Sequence, residues 1–305
     1  MDGIQHYKKR AHLSISSLNA FARCPRKFFY NTVGLQPPMP ASALIFGEAI
    51  HAALPLAITS SVDEAMKAFT GIWDPSVSDE KRNVQRAQAM IEDFAFAHLD
   101  GKSIYNLIEP PSNCPRIADR VSPFEVPFAV DIGLPIPLVG RFDALAKHRD
   151  TGELYCVEWK TSSEISTRFF SCFEINSQIL GYTMAAKALG LDVQGCIVEA
   201  IRVSKVNCET LSNLYQHQDH QIESFITWAR WCGTQILACE KQGEFPKDIS
   251  ACNPYPQFGM PGYTCGFQNL CTAQNWTALM GMYEMNDRPP FVLVDETEKG
   301  VVVNG

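Results

Sequence analysis

The chain has 305 residues, 46% apolar and 19% charged, so it can bury a large core and is neither disordered nor of low complexity. A net charge of -7 excludes a uniformly basic nucleic-acid coat, although a local basic track would still reach an anionic polymer. The opening residues MDGIQHYKKR are polar and basic with no apolar run behind them, which points away from signal and transit peptides and towards a cytoplasmic protein.

Ser14 and Ser16 precede the amphipathic run LNAFARCPRKFFY, which predicts a helix starting near Ser16 and bent or restarted at Pro25. GLQPPMP reads as a loop. ALIFGEAIHAALPLAI predicts a second helix, too short and too interrupted by Glu48 and His51 to span a bilayer. Val62 to Trp73 and Asp79 to Leu99 read as further helices, giving a helical insertion over residues 59–100. Phe124 to Asp131, Leu138 to Lys147 and Glu153 to Thr161 are short, β-rich and separated by turn residues, so three antiparallel strands are expected. A helix around Ile175 to Leu189, a strand at Gln194 to Val203 and a long helix at His220 to Lys241 complete the series. The fold class is therefore α/β, a central mixed sheet flanked by helices. Phe245 to Cys271 is rich in Pro, Gly and Asn without periodicity, and FVLVDETEKGVVVNG reads as a terminal hairpin. A single domain over residues 1–285 followed by a tail over 286–305 is the simplest division.

Strand periodicity places Glu158 and Lys160 on one face of their strand, with Val157 and Trp159 on the other. Across a tight turn, Gly140-Arg-Phe-Asp143 brings a further carboxylate within reach of that face if the strands pair as a hairpin. Taken alone, such a set also describes an exposed sheet face with cross-strand ion pairs. His51 follows Gly47 on an apolar helix, and Gln178 and Tyr182 lie four apart on one face of another.

In that order, Gly47-x-x-x-His51, Gly140-x-x-Asp143, Glu158-x-Lys160 and Gln178-x-x-x-Tyr182, the chain resembles the RecB-like branch of the PD-(D/E)XK nuclease superfamily over most of its length. The resemblance implies a restriction-endonuclease-like fold in which Asp143 and Glu158 ligate Mg2+ or Mn2+ and His51 completes the metal site. It also implies that Lys160 positions or activates the attacking water, and that Gln178 and Tyr182 contact DNA near the scissile phosphate. Phe142 stands where the classical proline precedes the aspartate. Hard carboxylate oxygens suit such ions, and a lysine can stabilise charge developing on a phosphodiester.

Eleven cysteines without an export signal point to thiols or metal sites rather than disulfides. Cys156, Cys172, Cys196, Cys232 and Cys239 sit in apolar surroundings and read as core residues. Cys252, Cys265 and Cys271 lie in a segment with no regular pattern. Together with Cys24 they resemble the arrangement of AddB-type and CRISPR spacer-acquisition nucleases, which implies a [4Fe-4S] cluster held by four thiolates. Twelve residues separate Cys252 from Cys265, longer than the usual Cys-x-x-Cys spacing. Four thiolates also suit zinc.

The expected activity is an exonuclease acting on single-stranded DNA or DNA ends in recombination, repair or phage replication. A CRISPR spacer-processing nuclease and a non-catalytic DNA-binding scaffold are the alternatives. DNA is the expected partner, with no membrane. Arg26 and Lys27 are the foremost candidates for a basic track to the phosphates, with Lys8, Lys9, Arg10, Arg23, Arg202 and Lys205 behind them. No Gly-x-x-x-x-Gly-Lys-Ser/Thr loop occurs, which argues against a helicase.

Overall fold

The computed structural model of the protein describes residues 11–36, 42–111, 114, 124–252, 265–285 and 303–304. In chain order the elements are β1 (Leu13–Ser14), α1 (Ile15–Arg23), α2 (Pro25–Thr32), β2 (Leu35–Gln36), α3 (Ser42–Thr59), α4 (Val62–Ile72), α5 (Val84–Leu99) and β3 (Tyr105–Ile108). Then follow β4 (Phe124–Asp131), β5 (Leu138–His148), β6 (Leu154–Ser162), α6 (Thr167–Ser171), α7 (Ser177–Ala188), β7 (Val193–Arg202), β8 (Thr210–Gln216) and α8 (Asp219–Gln242). The tail contributes α9 (Gln268–Thr272), β9 (Glu284–Met285) and β10 (Val303–Asn304).

Strands β10, β4, β5, β6, β7 and β8 run in that spatial order in one mixed sheet, with β1 and β3 also paired to β5. The three expected strands pair antiparallel, β4 with β5 and β5 with β6, whereas β7 runs parallel to β6 through the crossover that carries α7. Strict alternation on β6 divides the core. Tyr155, Val157 and Trp159 face a cluster built on α3, α4 and α5, and Cys156 faces the cluster that includes α1, α7 and α8.

Helix α1 starts earlier than Ser16 because Ser14 is its cap, exchanging hydrogen bonds with Ser17 in a capping box. Pro25 does restart the helix, with Cys24 in extended backbone at the break. Helix α3 is, by length and composition, apolar enough to cross a membrane, contrary to the expectation that it falls short. Phe46, Ala49, Ile50, Ala53 and Leu54 are instead fully buried within the insertion core. Cys156, Cys196 and Cys232 are fully buried as expected, but Cys172 is exposed, since it lies just past the short α6. The terminal hairpin expected over 291–305 falls almost wholly outside the described residues, of which Val303 and Asn304 pair parallel with Val130 and Asp131 of β4.

Candidate active site

The site forms where the ladders open. The β5–β6 ladder ends at the pair Ala144 and Val157, and the β4–β5 ladder passes from Val126 and Phe142 to Phe124 and Ala144. By count, Asp143 therefore stands between Glu125 on one neighbouring strand and Glu158 on the other, outside both ladders. Glu125 bends its strand away with a φ of 53°, a left-handed conformation uncommon for a residue with a side chain. The Trp159 N–H left free by the opening donates to Asp143 Oδ2 at 2.7 Å.

Helix α3 delivers His51. A side chain at Gly47, one turn earlier, would place its Cβ 3.1 Å from Thr161 Oγ1, so glycine lets the helix approach β6 closely. His51 Nδ1 then lies 3.8 Å from Asp143 Oδ2. Burial pulls the imidazole below its ordinary value, against the nearby Glu158 carboxylate, and favours the neutral ring with a free lone pair.

Helix α7 begins at the cap Asn176, whose side chain accepts from the N–H groups of Gln178 and Ile179. That start aims Gln178 and Tyr182, one turn apart, at β6. Gln178 Nε2 donates to Glu158 Oε1 at 2.8 Å and to the Tyr182 hydroxyl at 2.9 Å, and its Oε1 accepts from Lys160 Nζ at 3.0 Å. Lys160 also donates to Glu158 Oε1. The sequence motifs thus converge on one point.

Its charges are not balanced. Glu158 is 2% exposed, and its Oε2 is buried with no hydrogen-bond partner. Leaving a buried oxygen of this kind unsatisfied costs roughly 1–3 kcal/mol, more when it is charged. Burial, then the Glu158 carboxylate, pushes Asp143 well above the usual carboxylate range. Burial would lower Lys160, but Glu158 outweighs it and the ammonium is held above its ordinary value. A divalent cation at the two carboxylates is the group that would relieve both features. Among the described residues no three His, Cys, Asp or Glu side chains already converge into a metal-holding set, so the fit lies in donor chemistry and the orphaned oxygen.

Two residues of the site escaped the sequence reading. Arg141 and Glu125 line, with Asp143, Gln178 and Tyr182, a cleft of about 460 Å3 beside the opened ladder. Arg141 lies two residues before Asp143 on β5, so its shared face was a readable signal. Nothing in the sequence marks the backbone of Glu125.

The basic candidates divide. Arg26 donates from Nε to the Phe245 carbonyl at 2.7 Å and from its backbone to Pro246, which ties it to the tail. Lys27 is half-buried on α2, Arg202 is paired with Glu209 at 2.6 Å, and Lys205 is paired with Glu80. Lys8, Lys9 and Arg10 lie outside the described residues.

Cys24, Cys252, Cys265 and Cys271 are free thiols, and among the described residues they do not form a set that could hold a metal ion, contrary to the expected clasp. The Cys265 N–H donates to the Cys252 carbonyl at 3.3 Å. Burial, followed by Cys265 and Cys24, pushes Cys252 up. Burial also raises Cys271, a side-chain hydrogen bond with Tyr30 opposes it, and Cys252 and Cys24 add to the rise.

A mixed sheet that parts between two strands to set acids beside a lysine places the protein in the restriction-endonuclease-like class. The profile of the PD-(D/E)XK nuclease superfamily matches residues 12–272, and the chain belongs to that superfamily. Its members are typically nucleases dependent on Mg2+ or Mn2+. No curated protein matches the chain. A solved structure described as the crystal structure of SSO0001 aligns with a TM-score of 0.37 at 13% identity, covering 88% of this chain and 89% of that one.

Proposed function

We propose that the chain is a Mg2+- or Mn2+-dependent deoxyribonuclease, an exonuclease on single-stranded DNA or DNA ends, serving recombination, repair or phage replication. The observation that carries the reading is the orphaned Glu158 Oε2 in a site where Asp143, His51 and Lys160 converge. His51, Asp143 and Glu158 would hold the ion, which supplies neutralisation of phosphoryl charge and acidification of water. Lys160, held charged by Glu158, orients the attacking water and stabilises charge developing on the phosphate. Gln178 fixes Lys160 and Glu158 relative to each other. Burial, then Glu158, raises Tyr182 well above its ordinary value, so its hydroxyl keeps its proton for a phosphate oxygen. Lys27 remains a candidate phosphate contact.

Digestion of end-labelled single-stranded, duplex and circular DNA with and without Mn2+ tests activity, polarity and end dependence together. Lys160→Ala should lower cleavage by about 10^2–10^3-fold or more while the melting temperature stays near that of the wild type. Undiminished cleavage by that variant would sink the assignment. An inert wild type that still binds DNA would favour the scaffold reading, and strict preference for short duplexes with overhangs would favour trimming of CRISPR spacer precursors.

A second reading concerns the tail. We propose a structural metal clasp on Cys24, Cys252, Cys265 and Cys271, a [4Fe-4S] cluster in preference to zinc, on the chemistry of four free thiols and their order along the chain, although among the described residues they do not stand as a metal-holding set.

A further inference from the structure

The cleft beside Asp143 is walled on one side by Ser14, Ser16 and Asn19 around the start of α1 and on the other by Glu125 and Arg141. Its volume of about 460 Å3 falls in the range of small-molecule sites, roughly 300–1,000 Å3, enough for part of one nucleic-acid strand and too little for a duplex. Arg141 and Asp143 alternate on β5 and share the cleft face. Among the described residues lining the cleft, Arg141 is the one permanent cation, in a site that otherwise gathers the acids Glu125 and Asp143. A phosphate entering here meets the permanent positive charge of the cleft lining at that guanidinium, with the Lys160 ammonium beyond it at Glu158. Glu125 Oε2 accepts from Arg141 Nη1 at 2.5 Å, and both side chains remain about 40% exposed, 40% for Arg141 and 42% for Glu125. The pair is thus held in place and open to exchange with solvent-borne anions.

We propose that Arg141 binds a backbone phosphate of a single DNA strand seated in this cleft, next to the scissile position, and that Glu125 is the positioning residue that holds the guanidinium until phosphate replaces it. The assignment rests on the nuclease reading and adds to it the substrate form, one strand rather than two. Guanidinium suits both partners, because its planar fork matches carboxylate and phosphate alike. The bent backbone at Glu125 places the carboxylate beside Arg141 rather than in the ladder. Glu125 therefore competes with the substrate, and its removal has a sign opposite to removal of the arginine.

The test is fluorescence anisotropy of a labelled 20-nucleotide oligothymidylate over a potassium chloride series in EDTA, with cleavage of the same strand in Mn2+ run in parallel. Arg141→Ala should weaken binding about tenfold or more and reduce the log–log salt slope by nearly one unit, as loss of one phosphate contact does. It should raise KM far more than it lowers kcat. Glu125→Gln should tighten binding two- to fivefold. An ion pair serving only to brace β4 against β5 would lower the melting temperature in both variants and leave the slope unchanged, which overturns the proposal. If Arg141→Ala does not fold, Glu125→Gln decides, and weaker or equal binding counts against the assignment. A wild-type protein that neither binds nor cuts the strand removes the nuclease reading as well, whereas wild-type cleavage with unaffected Arg141→Ala removes this assignment alone.

Discussion

His217 sets a limit on the acid stability of the fold. Its Nδ1 lies 2.8 Å from the Thr183 hydroxyl, its Nε2 is buried without a hydrogen-bond partner, and burial, aided by Lys187, pulls the imidazole from 6.5 down to about 4. The unfolded chain therefore binds a proton between pH 6.5 and about 4 that the folded chain refuses. Stability is complete above the upper value and is lost as pH falls through that window. Urea unfolding should show the wild type losing about 1 kcal/mol more between pH 7 and pH 5 than His217→Gln does. Equal losses would show that the imidazole is solvated after all. Residue-scale legibility was uneven for a related reason. Charge type and spacing announced Asp143, Glu158, Lys160 and Gln178, but whether a buried group finds a partner depends on neighbours from distant strands. The unpartnered oxygen of Glu158 and the left-handed backbone of Glu125 belong to that second kind of fact.

The elements legible in the sequence are the longer ones: α1 through α5 and α8, the fully buried α7, the three antiparallel strands and β7, whose apolar runs end at clear turn residues. Strand β8 was missed because, of its seven residues, Tyr215 alone is buried, so no apolar alternation is visible. The four residues of β3 and the five of α6 are too short to show a period at all. Yet β3 matters, because Tyr105 joins the insertion to the sheet. Its hydroxyl donates to the buried Glu199 at 2.6 Å and receives the Trp159 indole N–H at 3.3 Å, while His98 of α5 and Ser212 of β8 also reach Glu199, each at 3.0 Å. Trp159 is the residue whose backbone holds Asp143, so this network braces the strand that carries the site. Tyr105→Phe leaves Glu199 and the indole each short of a partner inside the core, at a cost of about 2–3 kcal/mol. Thermal unfolding should show a melting temperature lower by several degrees, and an unchanged value would mean that the network is slack.

At the scale of the whole molecule, α2 and β2 near the start of the described chain close on the segment of residues 265–285. Phe29 and Tyr30 of α2 pack on Trp276 with ring centroids 5.7 and 5.3 Å apart, Tyr30 meets Phe267 at 5.4 Å, and β2 pairs with β9. Arg26 bridges to a carbonyl 219 residues away. The sequence pointed to this closure through four cysteines; Phe29 and Tyr30 were legible as part of an amphipathic helix, whereas their partners Phe267 and Trp276 lie in a tail without periodicity. Helix α3, read from its apolar run as the helix before the insertion, packs with α4 and α5 in one core and carries the expected His51 to within 3.8 Å of Asp143. Packing and thiols act on the same closure, so a metal clasp would add to a junction that the aromatic rings already hold. Linking such distant positions restricts the unfolded chain, and a metal bound only in the folded state stabilises it further. Were the proposed clasp to hold a [4Fe-4S] cluster, anaerobic purification should yield a brown protein containing iron and acid-labile sulfide, and Cys24→Ser should lose the colour and melt several degrees lower. A colourless protein loaded with zinc would exchange the cluster for a zinc site. Absence of both metals, together with an unchanged melting temperature in Cys24→Ser, would leave the aromatic packing and β2–β9 pairing as the means by which the tail is held.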